Sequence, residues 1–214
     1  MLRVGLTGGV ACGKTAVAKM FARRGARVVY ADEIARELMR PGQAVYDEVV
    51  RSFGRGILEP EGAIGRARLA QLVFDQKQPR VAELNRIVHP AVIVRQEEWL
   101  AEVERREPGA VAMVEAALLL EAGVRDRFDR IVVVTCTPEQ KAERFARRTG
   151  MSLDAARAEV ERRSAAQMPD AEKARSADFV IENAGPLEET EAQVERVWAE
   201  LKELAKTHRG DAEA

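Results

Sequence analysis

Short apolar runs alternate along this chain with longer segments in which apolar residues recur at helical spacing. Five of the runs predict strands, over Leu2–Leu6, Arg27–Tyr30, Ala110–Val114, Arg130–Thr135 and Asp178–Glu182. Ala110–Val114 is apolar on both faces, which is typical of the interior of a parallel sheet. The pattern therefore predicts an α/β fold with a five-stranded parallel sheet flanked by helices.

The stretch from Ile34 to Arg106 has helical spacing but no convincing strand. Its longest predicted helix covers Gln78–Arg106, and Pro90 is expected to kink or restart this helix. The stretch is too long for a simple crossover between two strands. We therefore interpret it as a helical insertion that builds an acceptor site.

A phosphate-binding motif lies between the first predicted strand and the first predicted helix. Gly8, Gly13, Lys14 and Thr15 complete the pattern G-x-x-x-x-G-K-[ST]. Such a loop points backbone N–H groups at phosphate oxygens, and the following helix adds the positive end of its dipole. Lys14 would bridge the outer phosphates, and the Thr15 hydroxyl would hold Mg²⁺. The flanking strand and helix argue against a chance match, and they predict ATP binding by Gly8, Gly9, Val10, Ala11, Cys12, Gly13, Lys14, Thr15 and Ala16.

Two acids follow predicted strands at the edge of the sheet where ligands of α/β proteins bind. Asp32 could accept the proton of an attacking hydroxyl, bind Mg²⁺ through water, or cap a helix over Glu33–Met39. Glu115 could join the Mg²⁺ shell through water, or it could be a solvated strand end. Leu118–Leu120, which comes next, is expected to be core or the wall of an apolar pocket.

The most basic part of the chain begins at Lys141, in the helix that Thr137 and Pro138 are predicted to open. Exposed arginines are usually only solvated, but a cluster after the fourth strand can fold over phosphates as a lid. Arg144 and Arg148 lie on one helix face and are the best candidates. The turn at Asn183, after the fifth strand, would lie near the adenine if the sheet is ordered as in other phosphate-loop kinases.

Composition limits the class of protein. The net charge is −1, so no overall field indicates nucleic acid or an anionic membrane as a partner. No apolar run approaches the ~20 residues of a membrane span, and the N-terminus enters a predicted core strand, so we expect a cytoplasmic protein. Cys12 and Cys136 lie in separate elements and are expected to be reduced thiols without a metal. No obligate protein partner is evident.

Taken together in order, these motifs resemble the dephospho-CoA kinase family over about residues 2–204. The matching stretches are Leu6-Thr7-Gly8-Gly9, Gly13-Lys14-Thr15, Ala31-Asp32, Ile34-Ala35-Arg36, Leu84-Asn85, His89-Pro90, Leu118-Leu119, Glu121, Arg144, Arg148, Ala166-Gln167-Met168, Lys173, and Ala177-Asp178 through Ile181 to Asn183 and Gly185. The resemblance implies a P-loop NTPase fold and transfer of the γ-phosphoryl group of ATP to the 3′-hydroxyl of the ribose of dephospho-CoA. Mg²⁺ is the implied cofactor.

The resemblance also implies roles for individual residues. Lys14, Asp32 and Arg144 would be catalytic, with Asp32 as the base near the 3′-hydroxyl. Arg144 and Arg148 would contact phosphates from the lid, and Asn183 would contact ATP. The residues expected to bind dephospho-CoA are Thr7, Asp32, Arg36, His89 and Leu118.

The implied domains follow from this assignment. The nucleotide-binding core comprises 1–33, 107–140 and 176–208, and the acceptor subdomain comprises 34–106. A lid covers 141–175, and a flexible tail covers 209–214 after a last helix predicted over Leu187–Leu204.

The sequence departs from the family pattern at several positions. Ala11 and Cys12 replace the usual Gly-Ser. Ala11 is acceptable in the loop if its φ is negative. The dipole of the loop and the charge of Lys14 could lower the pKa of the Cys12 thiol. A thiol reagent would then inhibit unless ATP is bound. Tyr30 replaces a second acid, and Ala117 replaces a proline.

Two other functions are compatible with the phosphate-binding loop. A related kinase for shikimate, gluconate or a nucleoside monophosphate would share the loop and the lid, but the long insertion favours a large acceptor. The second alternative is a nucleotide-dependent switch. Against it, the chain has no N-K-x-D tetrapeptide, the motif that recognises guanine.

Overall fold

The computed structural model describes residues 1–75 and 77–212, with side chains described through Thr207. The strands are β1 (Leu2–Gly8), β2 (Arg27–Tyr30), β3 (Val111–Glu115), β4 (Arg130–Thr135) and β5 (Phe179–Glu182). The helices are α1 (Lys14–Arg23), α2 (Ala31–Leu38), α3 (Ala44–Phe53), α4 (Arg66–Val73), α5 (Val81–Arg106), α6 (Pro138–Thr149), α7 (Leu153–Ala165), α8 (Asp170–Arg175) and α9 (Leu187–Ala212).

The strands form one five-stranded sheet in the order β2-β3-β1-β4-β5. β1 is the central strand and runs parallel to β3 and β4, and β4 runs parallel to β5. The side chains of β1 are almost entirely buried, and Val4 and Leu6 have no exposed surface. The register pairs Leu6 with Glu115 and Gly8 with Val134. The loop after β1 therefore begins beside the carboxyl ends of β3 and β4.

The chain divides into two compact units, residues 1–29 with 100–214, and residues 30–99. The first unit contains the sheet, and α1 and α9 pack together in it, with the rings of Phe21 and Trp198 6.5 Å apart. The second unit is helical, with a core that includes the fully buried Val49 and Ile57. The functional division into core, acceptor subdomain and lid stays a prediction.

Helix α5 runs from Val81 to Arg106 with Pro90 inside it, so the predicted restart of the helix at Pro90 is wrong, whereas the alternative of a kink stays a prediction. A proline in a helix interior costs about 3 kcal/mol. Val88 and Val92, on either side of Pro90, are both buried. This packing outweighs the local preference of the proline.

Two other helix boundaries differ from the prediction. α2 begins at Ala31 with Tyr30 at its N-cap, so Asp32 lies in the first turn and does not cap the helix. α9 continues to Ala212, past the predicted end at Leu204, because Ala205 is buried as well and extends the packed face. A flexible tail over 209–214 stays a prediction, and residues 213–214 lie outside the described residues. None of the described helices combines the length and the apolar character that a membrane span requires.

Candidate active site

The loop between β1 and α1 depends on glycine at both ends of the motif. Gly8 has a φ of 150°, and a Cβ placed there would lie 2.2 Å from the Val134 carbonyl oxygen. Gly13 has a φ of 95°, and its Cβ would lie 2.2 Å from Nδ2 of Asn183. The neighbouring strands thus approach the loop backbone so closely that a side chain at either position would collide with them.

Ala11 is the one non-glycine residue with a positive φ among the described residues, at 56°. The condition set for this departure, a negative φ, is therefore not met. The left-handed region costs an alanine about 1–2 kcal/mol, because its Cβ approaches the following carbonyl. Val10 and Ala11 pack against a buried cluster of Phe145, Ala156 and Val160. This contact joins the loop to α6 and α7 and helps to hold the strained residue.

Lys14 lies over the loop. Its ammonium donates hydrogen bonds to the carbonyl oxygens of Gly8, at 3.2 Å, and Gly9, at 2.9 Å. Both of these acceptors are neutral carbonyl oxygens. The ammonium is thus already at the mouth of the loop, where it can bind the outer phosphates.

Thr15 and Glu115 meet beside the loop, where the Thr15 hydroxyl donates to Oε2 of Glu115 at 3.1 Å. Glu115 is 8% exposed, so the alternative of a solvated strand end is wrong. A hydroxyl and a carboxylate are the oxygen donors that Mg²⁺ prefers, and Mg²⁺ usually keeps water and substrate phosphates as its other ligands. The pair fits a Mg²⁺ site of this kind, and no cluster of three or more His, Cys, Asp or Glu side chains suited to a metal occurs among residues 1–75 and 77–212.

Arg144 of α6 reaches the opposite end of the loop. Its guanidinium donates to the carbonyl oxygens of Cys12, at 3.2 Å, and Asn183, at 2.8 Å. Asn183 also donates to the Cys12 carbonyl at 2.8 Å and accepts from the Thr190 hydroxyl at 3.1 Å. Arg144 and Asn183, both predicted to contact ATP, are thereby held against the loop backbone.

Arg148, the other predicted lid cation, has a different environment. It is exposed, and its guanidinium carbon lies 5.1 Å from the centroid of the Phe145 ring. Its role in phosphate binding stays a prediction.

Lys141 and Asp170 form an ion pair at the start of the loop that sequence reasoning missed. A Cβ placed on Gly9 would lie 2.7 Å from the Lys141 ammonium and 2.5 Å from Oδ1 of Asp170. Lys141 is 6% exposed, although it belongs to a segment that the sequence presents only as a basic cluster. Its spacing of three from Arg144 was the available signal, because that spacing places both cations on one helix face.

A second ion pair ties α8 to the loop that follows β3. Lys173 has no exposed surface, and its ammonium lies 2.7 Å from Oε1 of Glu121. The same oxygen accepts a hydrogen bond from the Met168 backbone N–H at 3.0 Å. The Lys173 ammonium and Oε2 of Glu121 have no hydrogen-bond partner among the described residues, so the pair depends on charge attraction in a buried site. Glu121 and Lys173 were noted only as parts of the family pattern, and the structure brings them together.

Replacing Lys173 with methionine is expected to lower the free energy of unfolding by about 3–5 kcal/mol, because it leaves the Glu121 carboxylate buried without its partner. Urea unfolding measures this change. The double variant Glu121→Gln with Lys173→Met removes both charges and should recover much of the loss. Lys206→Met is the matched control, since Lys206 is 71% exposed and pairs with Glu203 at the surface. A loss no larger than in this control would show that the buried pair is not important for stability.

Comparison with known proteins identifies the family of this chain. A family model described as dephospho-CoA kinase matches residues 2–189. A dephospho-CoA kinase of Geobacter sulfurreducens is 44% identical over 196 residues, which cover 92% of this chain and 96% of that protein. The chain belongs to the dephospho-CoA kinase family.

Two solved structures resemble this member of the family. The structure of TT1252 from Thermus thermophilus has 32% sequence identity and a TM-score of 0.76, covering 94% of this chain and 97% of that one. A dephospho-CoA kinase from Campylobacter jejuni has 22% identity and a TM-score of 0.59, covering 93% and 96%, and supports the fold alone. The predicted P-loop fold is confirmed.

The predicted lowering of the pKa of the Cys12 thiol is wrong. Burial raises the pKa of the Cys12 thiol, and this effect outweighs the opposing attraction of Lys14. Burial likewise raises the pKa of Cys136 to about 11. Both sulfurs stay protonated thiols at neutral pH, so the structure removes the basis for selective inhibition by a thiol reagent.

Of the predicted dephospho-CoA ligands, Thr7 and Leu118 belong to the first compact unit. Thr7 is fully buried, and its hydroxyl donates to the Ala117 carbonyl at 3.3 Å. Leu118 is half-buried, whereas the adjacent Leu119 belongs to the core. The hydroxyl of Thr7 therefore fixes the strand-to-loop turn that presents Leu118.

Asp32, Arg36 and His89 belong to the second compact unit. Asp32 is exposed, and Arg36 lines a pocket of about 440 Å³ between α2 and α4 with Arg40 and Arg66. Burial lowers the pKa of the half-buried His89, so its imidazole is neutral at physiological pH. These placements describe each residue within its own unit, and their roles stay predictions.

Proposed function

We propose that this chain transfers the γ-phosphoryl group of ATP to the 3′-hydroxyl of the ribose of dephospho-CoA, yielding CoA and ADP. The observation that carries the proposal is the convergence of Lys14, Arg144 and Asn183 on one phosphate-binding loop. Membership of the dephospho-CoA kinase family supports the choice of acceptor.

Phosphoryl transfer requires positioning and charge neutralisation more than covalent chemistry by the protein. The backbone N–H groups of the loop and the N-terminus of α1 would bind phosphate oxygens. Lys14 would exchange its carbonyl partners for the outer phosphates, while Arg144 would add a planar cation at the Cys12 end of the loop. The positions of both side chains support these roles.

We propose Mg²⁺ as the cofactor, held by the Thr15 hydroxyl with Glu115 acting directly or through water. The hydrogen bond between the two side chains supports this assignment. When bound, Mg²⁺ neutralises charge that develops on the β- and γ-phosphate oxygens. Thr15 and Glu115 would orient it relative to the loop.

On the acceptor side, Asp32 would orient and deprotonate the 3′-hydroxyl as a general base. Asp32 lies in the first turn of α2, and its side chain is exposed. Arg36 would bind a phosphate of dephospho-CoA, and the neutral His89 would donate or accept a hydrogen bond.

ADP release with Mg-ATP tests the proposal. We expect release to depend strongly on dephospho-CoA, with CoA as the product, and to stay at background with shikimate, gluconate, adenosine or AMP. Equal slow release with every acceptor, or preference for another one, would refute the proposed substrate. The cytoplasmic location and the lack of an obligate protein partner stay predictions from the sequence.

A further inference from the structure

Lys141 and Asp170 occupy a position that the proposed reaction does not yet use. Both charged groups lie against Gly9, within 3 Å of where a Cβ would stand. Gly9 also accepts the hydrogen bond from Lys14, whose ammonium serves the outer phosphates in loops of this type. The Lys141–Asp170 pair therefore lies at the outer-phosphate end of the loop.

Lys141 and Arg144 present two cations from one face of α6 to the two ends of the loop. Arg144 contacts the Cys12 carbonyl, and Lys141 lies beside Gly9. Lys141 is nearly buried, so its charge is not dispersed in solvent as that of an ordinary surface lysine is. Its charged partner among the described residues is Asp170.

Asp170 is held in place independently of Lys141. It is the first residue of α8, and the buried Lys173–Glu121 pair fastens the same helix to the loop after β3. Its carboxylate is thus an anion positioned beside the loop that binds phosphate anions. An incoming phosphate and this carboxylate would repel each other, and both would compete for the Lys141 ammonium.

We propose that Lys141 binds an outer phosphate of ATP, and that Asp170 is its counter-ion, which the phosphate replaces. The inference rests on the proposed use of ATP but not on the identity of the acceptor. It makes Lys141 a phosphate ligand and makes Asp170 a residue that lowers nucleotide affinity.

Direct binding of ATP, measured by calorimetry without an acceptor, tests this proposal. Lys141→Met should weaken ATP binding about 10-fold, since it removes one charge-assisted hydrogen bond. Asp170→Asn should strengthen ATP binding several-fold, because Lys141 no longer has a competing anion. Both effects should disappear with AMP, which lacks the outer phosphates. A merely structural role for the pair would instead make both variants bind ATP and AMP more weakly.

Two further variants complete the design. Lys141→Met combined with Asp170→Asn removes the repulsion between the carboxylate and the phosphate as well as the Lys141 contact. The double variant should therefore bind ATP more tightly than Lys141→Met alone but more weakly than Asp170→Asn alone. Arg147→Met removes an exposed cation from the last turn of the same helix and should change the affinity less than 2-fold. Unchanged affinity in Lys141→Met, or weaker binding in Asp170→Asn, would overturn the proposal. Because no acceptor is present, failure of dephospho-CoA as substrate would leave this test intact.

Discussion

Replacing Lys14 with methionine is expected to lower turnover by about 10²–10³-fold, which is the usual cost of removing one preorganised group that stabilises transition-state charge. Methionine keeps the length of the side chain but removes the ammonium. Lys14 now donates to the carbonyl oxygens of Gly8 and Gly9. The substitution therefore costs the folded loop only two hydrogen bonds to neutral acceptors. The loss should therefore appear mainly in catalysis and less in stability.

Single-turnover formation of CoA at saturating ATP measures the Lys14 effect, with thermal unfolding measured alongside. Lys19→Met is the matched control, because Lys19 is an exposed lysine in the same helix and the substitution is identical. Turnover within a few-fold of the control would show that Lys14 does not stabilise the transferring phosphoryl group.

Replacing Asp32 with asparagine is expected to lower turnover by about 10²-fold while ATP affinity is nearly unchanged. Asparagine preserves the shape of the side chain but cannot take the proton of the 3′-hydroxyl. ATP affinity should be kept, because the phosphate contacts come from the loop after β1 and from α6.

Comparison of kcat with the Kd for ATP tests this prediction for Asp32. Asp47→Asn provides the control, since Asp47 is also an exposed aspartate in the first turn of a helix, α3, and experiences the same dipole effect. If Asp32→Asn turns over as fast as this control, Asp32 has no part in proton transfer. A parallel loss of ATP binding would mean that Asp32 serves the nucleotide site instead.

Local signals predicted the part of the site that is contiguous in the chain. An apolar strand, a glycine-rich loop and a helix follow one another directly around Gly8–Thr15, and the positive φ of Gly8 and Gly13 is a local reason for glycine at those positions. A local signal also predicted the start of α6 at Thr137. There the side chains of Thr137 and Gln140 each accept a hydrogen bond from the backbone N–H of the other residue. The place of Glu115 was also predictable, because parallel strands bring their carboxyl ends to one edge.

Burial was harder to predict than position. The loop and Lys14 indicated an acidic Cys12 thiol, but the thiol is fully buried, and burial raises its pKa. Pro90 indicated a kink or a restart of the helix, but α5 is not restarted there, and the buried valines on either side of Pro90 help to keep it continuous. In both cases a local preference was overcome by contacts with distant segments.

The sequence by itself determined the α/β fold, the phosphate-binding loop and, through the ordered motifs, the family. Only the tertiary structure decided which charges meet. Lys141 forms an ion pair with Asp170, and Lys173 forms one with Glu121. The partners are too far apart in the sequence for helical or strand periodicity to predict the pairing. Such pairs depend on how α6 and α8 pack against the sheet and its loops. Packing is a property of the whole chain, so these pairs, and the counter-ion proposed for the ATP site, were visible only after folding.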